Sequence, residues 1–207
     1  MRERSYLAPH LGKKIAGEEV TVVDSSVAEG GWANFFFDDE GVKSRRTELI
    51  SEGRFKTLLH DRLTAAQLKA EPTANGRAES FKTKRFVRMT NTFFEPGSWS
   101  KEEMIGEIKE GMLLQKNMFG MEDPLGGGLQ CTSKKGWIIK DGELKERVSR
   151  VALTGNVLDV FSNIDAVENK KGFQIKAGSC GKGTEDFVAA GTGGVHLRIR
   201  GLTVSQG

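Results

Sequence analysis

Few residues in this chain can do chemistry, and one of them sits in an unusual setting. In Gly178-Ser179-Cys180-Gly181-Lys182-Gly183 a cysteine lies among glycines, in a loop predicted to follow a strand at Gly172–Lys176. Small neighbours leave its backbone uncovered, and the ammonium of Lys182 favours a thiolate. Nucleophile, metal ligand and phosphate loop are the competing uses. The phosphate loop fails on spacing. Its first glycine would stand where Lys176 stands, and Ser or Thr where Gly183 stands. A nucleophile needs a base, and the only histidines are His10, His60 and His196. An inert buried thiol stays open beside these readings.

The histidines add little by spacing. His60 precedes Asp61 at a predicted strand-to-helix junction, where capping by Asp61 is a simpler role than orienting the ring. His10 follows Pro9 and is expected in solvent. His196 shares a predicted strand face with Arg198 and Arg200 and is expected to be exposed. None is followed by glutamate, so a self-sufficient HExxH zinc site is excluded. Gly126-Gly127-Gly128 after Pro124 reads as a turn, or as a place where a peptide or cofactor backbone comes close. Asn75–Ser80 reads as a solvated connection.

Positioning these groups falls mainly to strands. Thr47–Ser51, Glu52-Gly53 and Arg54–Leu59 form one predicted hairpin. Trp137–Lys140, Asp141-Gly142 and Glu143–Val148 form a second, with the stronger turn signal. Val20–Val23 and Asn34–Phe37 make an earlier pair, and Arg85–Glu95 alternates as a long strand ended by Pro96-Gly97. Val195–Val204 alternates as well. Three helices are predicted. Asp61–Ala70 has Leu63, Ala66 and Ala70 inward. Lys101–Glu110 has a Ser100/Glu103 capping box. Leu153–Asn163 carries Val157, Leu158 and Phe161 at helical spacing. Strands and helices do not alternate regularly. The expected class is α+β, a mainly antiparallel, twisted or barrel-like sheet with a few packed helices. The 26 glycines among 207 residues gather at the tight returns of such a sheet.

Composition bounds the partners. Lys and Arg number 31 against 28 Asp and Glu, interspersed, which gives no drive toward nucleic acid or membrane. Cys131 and Cys180 are too few for a disulfide scaffold and are expected as free thiols in a reducing compartment. Met1–Lys14 is charged and lacks an apolar signal core, and apolar runs such as Phe35–Phe37 are too short to span a bilayer. A cytoplasmic, single-domain chain over residues 1–207 is expected.

A series of motifs then carries a resemblance. Leu11–Ala16, Val20–Asp24, Phe37–Gly41, Leu59–Ala65, Asn75–Ser80, Arg88–Thr92, Gly126–Gly128, Leu153–Asn156 and Gly178–Lys182 occur in an order that resembles the carboxy-terminal half of TldD/PmbA-type metallopeptidases. The likeness covers nearly the whole chain. It implies a zinc-dependent peptidase acting on small unstructured peptides, paired as a homodimer or with a related subunit. It implies zinc held by two histidines of an HExxxH helix, whose glutamate is the general base, and by the cysteine of Gly-x-Cys-Gly, here Cys180. No HExxxH occurs in these 207 residues. The chain is therefore expected to lack that helix and the amino-terminal domain, and to be inactive alone. The alternative is a non-catalytic peptide-binding or regulatory subunit of a complete family member. Met89, Thr90, Asn91, Gly127 and Gly128 are the candidate peptide contacts, by strand addition along Arg85–Glu95. The family's description as a modulator of DNA gyrase would suggest a nucleic-acid role, which the balanced charge argues against. A face left uncovered by the other domain is expected to dimerise or to show an apolar patch.

Overall fold

The computed structural model describes residues 5–183 and 185–206. Its main sheet starts with β1 (Val22–Ser25), followed by a hairpin of β2 (Arg46–Ser51) and β3 (Arg54–Phe55). Glu52 and Gly53 turn this hairpin at φ 49° and 73°, the paired positive angles of a type I′ turn. The expected strand Asn34–Phe37 does not form. Phe37 makes only an isolated bridge to Lys43, because Asp38 Oδ1 closes the intervening turn on the amides of Glu40 and Val42.

Helix α1 (Arg62–Leu68) starts at Asp61, whose carboxylate accepts from the Thr64 amide in a capping box. Capping is thus the role Asp61 plays. The inward face differs from expectation: Thr64 and Ala65 are buried, whereas Leu63 is 62% exposed. The hydroxyl of Thr64 faces the Asp61 amide and the buried His60 ring, which fixes the helix rotation.

The long strand expected at Arg85–Glu95 is broken in two. A ribbon of β4 (Gly76–Arg77) with β5 (Phe86–Val87) precedes β6 (Asn91–Phe94). Between them the Arg88 amide donates to Asn75 O, and the Thr90 amide to the Asp24 carboxylate, instead of to a neighbouring strand. Helix α2 (Lys101–Gly106) has the expected Ser100/Glu103 capping box, with Met104 buried.

Next come three long antiparallel strands, β7 (Glu110–Glu122), β8 (Gly128–Lys140) and β9 (Glu143–Asn156). Asp141 and Gly142, at φ 49° and 76°, make the expected turn between β8 and β9. The third helix, α3 (Val157–Ser162), is shorter than predicted. Leu153–Asn156 stay in β9, and the Asn156 side chain accepts from the Leu158 amide to cap the helix there.

Five strands complete the described residues: β10 (Ile164–Val167), β11 (Gln174–Lys182), β12 (Glu185–Gly194), β13 (Leu197–Ile199) and β14 (Thr203–Gln206). The strand expected at Val195–Val204 is divided at Gly201, φ 67°, so that β13 pairs with β10 while β14 pairs with β9. The main sheet runs β11-β12-β6-β1-β2-β3, antiparallel except where β12 lies parallel to β6. A second sheet runs β14-β9-β8-β7, and neither closes on itself.

Alternation along β1 feeds two cores. Val22 packs with Val20, Ile50, Phe55 and Val167, while Val23 packs with Ala28 and Phe93 on the other face. Phe173 meets Phe93 edge-on at 5.3 Å. The observed class is α+β and mainly antiparallel, as the pattern implied.

Candidate metal centre

Cys180 lies on a strand, not in the loop predicted for it. It pairs with Val188 in the β11–β12 ladder, and β11 is the outermost strand of the main sheet, with no further strand beside it among the described residues. The thiol is half-buried, and its polar contact is the carbonyl of Gly181, 3.8 Å away.

The backbone beside it is clamped by cations. Arg88, 1% exposed, donates from Nη1 to Cys180 O at 2.5 Å and from Nη2 to Lys182 O at 3.3 Å. Lys182 returns the contact, with Nζ 2.9 Å from Val87 O. Burial pushes the Lys182 ammonium down from its ordinary pKa, and the field of Cys180 partly opposes that shift. Arg77 is also pushed down by burial, with Asp39, Asp24 and Cys180 opposing. Its Nη1 donates to Met89 O at 2.7 Å, and its guanidinium stacks 5.3 Å from the Phe35 ring centre. Two buried guanidinium groups and an ammonium thus hold the backbone of this region.

A buried carboxylate anchors that clamp. Asp24, 2% exposed, accepts from the Thr90 amide, the Thr90 and Thr92 hydroxyls and Asn75 Nδ2, at 2.6–2.8 Å. Asn75 also donates to Arg88 O, which ties the carboxylate to the segment holding Cys180. Asn75 and Arg77 are buried, so Asn75–Ser80 is not the solvated connection expected.

The sequence-derived contacts have definite places. Thr90 and Asn91 are buried, and Asn91 bonds Ala33, Ser25 and Asn34; Met89 is half-buried. Both edges of β6 are filled, by β12 and β1, so a peptide cannot add along Asn91–Phe94. Gly127 packs under the Tyr6 ring, where a Cβ would lie 2.4 Å from a ring carbon, and the Tyr6 amide donates to Pro124 O. Gly128 begins β8. That glycine run receives the chain's own amino-terminal segment.

Each histidine is engaged elsewhere. His60 is buried with Nδ1 3.3 Å from the Thr64 hydroxyl. His10 is half-buried beside Tyr6 instead of solvated. His196 is half-buried rather than exposed, because its Nδ1 lies 2.6 Å from the buried Glu168 carboxylate. Among the described residues no three His, Cys, Asp or Glu side chains converge as a metal set. The donor chemistry fits zinc as one ligand of an incomplete set.

Residues 1–206 match the family model of the PmbA/TldA metallopeptidase C-terminal domain. The chain belongs to the PmbA/TldD metallopeptidase family. This PmbA/TldD chain is 39% identical over 198 residues to a metalloprotease of Methanocaldococcus jannaschii, covering 96% of this chain and 43% of that one. It is 30% identical over 193 residues to a zinc metalloprotease TldD homolog of Saccharolobus solfataricus, covering 93% and 43%. Among solved structures, a Thermotoga maritima protein described as a modulator of a DNA gyrase superposes with TM-score 0.78 at 25% identity, covering 99% and 43%. TldE from Thermococcus kodakarensis has the same fold, TM-score 0.77 at 24% identity, again covering 99% and 43%. The chain thus spans less than half the length of the relatives it matches.

The clamp residues Asp24, Arg77 and Arg88 were not singled out by sequence reasoning. A charged residue inside an apolar alternating stretch, as at Arg88, is the signal that could have found one of them.

Proposed function

We propose that this chain is the carboxy-terminal portion of a zinc-dependent peptidase acting on small unstructured peptides, with Cys180 as one zinc ligand. The observation that carries the reading is the half-buried thiol on the outermost strand of the main sheet, its backbone held by the buried Arg88. Two imidazoles and a carboxylate base from an HExxxH segment complete the site. A zinc ion held by these groups would supply Lewis-acid chemistry and activation of water near neutral pH. This chain's own share is to present the sulfur rigidly, on a backbone held by cations. The name of the Saccharolobus solfataricus relative, a zinc metalloprotease, supports the choice of metal.

The groove wall is the outer edge of β11, along which an extended peptide adds as a strand. Thr90 and Asn91 back this sheet from inside through Asp24 and Ser25, Met89 is the half-buried one of the three, and Gly127 and Gly128 seat Tyr6. Alone the chain is inactive, and it works as a homodimer or with a related subunit, in the cytoplasm, where its two thiols stay reduced. No helix among the described residues is long and apolar enough to cross a membrane. Nucleic acid is not a direct partner.

The lack of a converging ligand set among the described residues favours one second reading, a non-catalytic subunit that modulates a complete relative. Hydrolysis of quenched-fluorescent unstructured peptides separates the two. The chain combined with an HExxxH-bearing segment should cleave them in a chelator-sensitive way, and Cys180→Ser should abolish the cleavage. Chelator-sensitive cleavage by the 207 residues alone would overturn the first reading, and a combination that stays inert would favour the second.

A further inference from the structure

A cleft of about 560 Å³ opens between the main sheet and the second sheet, near the amino-terminal end of β11. Lys101 from α2, Lys116 from β7, Lys135 from β8 and Lys176 from β11 line it, with His196 and Thr192. Among the described residues no Asp or Glu lines it. Among the described residues none of the four ammonium groups has a carboxylate within ion-pair distance. His196 is held from behind by Glu168, through both Nδ1 and the main-chain amide.

Backbone geometry reinforces the charge. Lys116 sits at φ 58°, out of the ladder between the pairs Gln115–Lys135 and Asn117–Ser133. It consequently lines the same cleft as its neighbour Gln115, where regular alternation would send the two to opposite faces. Arg150 repeats the feature at φ 50°, between the pairs Lys135–Ser149 and Ser133–Val151. Lys116, Lys134 and Arg150 thus fall side by side across three strands. Of these three only Lys116 lines the cleft, where it joins Lys101, Lys135 and Lys176, and like charges gathered there repel one another.

The lining also narrows the kind of anion. Among the described residues it offers no Phe, Tyr or Trp ring for a base to stack on, which single-stranded nucleic acid uses, only the His196 imidazole that Glu168 holds. Among the described residues it offers no guanidinium fork for bidentate phosphate, but separate ammonium charges. Lys176 lies four residues before Cys180 on β11, and Gln174, which also lines the cleft, shares the Lys176 face. At roughly 3.3 Å per residue, cleft and thiol stand about 13 Å apart along one outer strand.

We propose that the cleft is a subsite for acidic side chains of a peptide whose backbone runs along β11 toward Cys180. The inference rests on the peptidase reading and gives it a substrate class: peptides with Asp or Glu about four positions from the bond facing Cys180.

Fluorescence anisotropy of the 207-residue chain tests this with two labelled peptides, one bearing four glutamates and its glutamine counterpart. The glutamate peptide should bind on the order of tenfold tighter in dilute salt, as several exposed ion pairs together allow. Raising the salt to about 0.5 M should shrink that ratio. The double variant Lys135→Gln/Lys176→Gln should erase the preference, whereas Cys180→Ser should keep it. Zero-length carbodiimide crosslinking of the glutamate peptide to the unmutated chain should map to cleft lysines, whatever the variant's folding. Equal affinities for the two peptides, or crosslinks confined to other lysines, would overturn the proposal. So would an oligothymidylate of equal charge that outcompetes the glutamate peptide. A preference that survives Cys180→Ser in a chain whose zinc and hydrolysis tests fail would sink the peptidase reading while leaving the acidic subsite standing.

Discussion

The Arg88 guanidinium reaches Cys180, 92 residues further along the chain, through a 2.5 Å hydrogen bond to its main-chain oxygen. A side chain that joins β5 to β6 thereby fixes the outer strand on which the candidate ligand stands. Replacing it with alanine leaves the carbonyls of Cys180 and Lys182 without their cation. Arg88→Ala should cost about 2–4 kcal/mol of stability, given the strength of charge-assisted bonds and the void left behind. Urea unfolding measures it, and a loss below about 0.5 kcal/mol, the size of an ordinary surface change, would contradict the clamp.

Asp24 is the second support. Its carboxylate collects two hydroxyls, one amide and one carboxamide in the interior. Asp24→Ala strands those donors and should cost about 3–5 kcal/mol, the range for breaking a buried charged network. Asp24→Asn should be intermediate, because one oxygen still accepts while the new amide faces donors. A wild-type melting curve for Asp24→Ala would remove Asp24 from the account.

His60 makes a pH prediction. Burial lowers its pKa from the ordinary value, against the smaller pull of Asp61, and the residue is 4% exposed. The unfolded chain then binds the proton more readily than the folded one. Stability should fall as pH drops through the unfolded histidine value near ~6.5 and continue falling to the lower folded value. Thermal melts at mildly acidic and mildly alkaline pH should differ less in His60→Gln than in the unmodified chain. An unchanged difference would assign the acid sensitivity to other groups.

Apolar side chains lie open on the surface: Phe81 is 94% exposed, Phe36 86%, Phe187 76% and Met121 63%. Exposed apolar side chains of this size mark surfaces that partners cover. Sedimentation should show a dimer or concentration-dependent association, with bright binding of a hydrophobic dye. A clean monomer that leaves the dye dark would count against this.

Local rules made much of the architecture legible. Glu52-Gly53 and Asp141-Gly142 announced their hairpins because the turn itself demands positive φ, and Ser100 with Glu103 announced α2 through its cap. What alternation could not reveal was where the ladder is interrupted by distant partners. Arg88 and Thr90 leave the strand pattern for Asn75 and Asp24, residues far away in sequence. Leu63 looked inward, yet a polar contact between His60 and Thr64 turned the helix. Cys180 looked like a loop thiol because glycines flank it. Gly178 and Cys180 instead pair with Ala190 and Val188 in a ladder, and the crowding that demands glycine lies on the partner strand: a Cβ on Gly191, opposite Ala177, would lie 2.3 Å from Asn91 Oδ1.

The ligand role of Cys180 is tested most directly by cobalt substitution. Thiolate coordination gives Co²⁺ an intense near-ultraviolet charge-transfer band, and a tetrahedral site gives structured visible absorption. The 207-residue chain mixed with an HExxxH-bearing segment should develop both, and Cys180→Ser should lose the ultraviolet band. The chain alone, which offers one sulfur of a set that zinc needs filled, should retain far less than one metal per chain after gel filtration. Stoichiometric metal held by the chain alone, or a ternary spectrum indifferent to Cys180→Ser, would contradict the account.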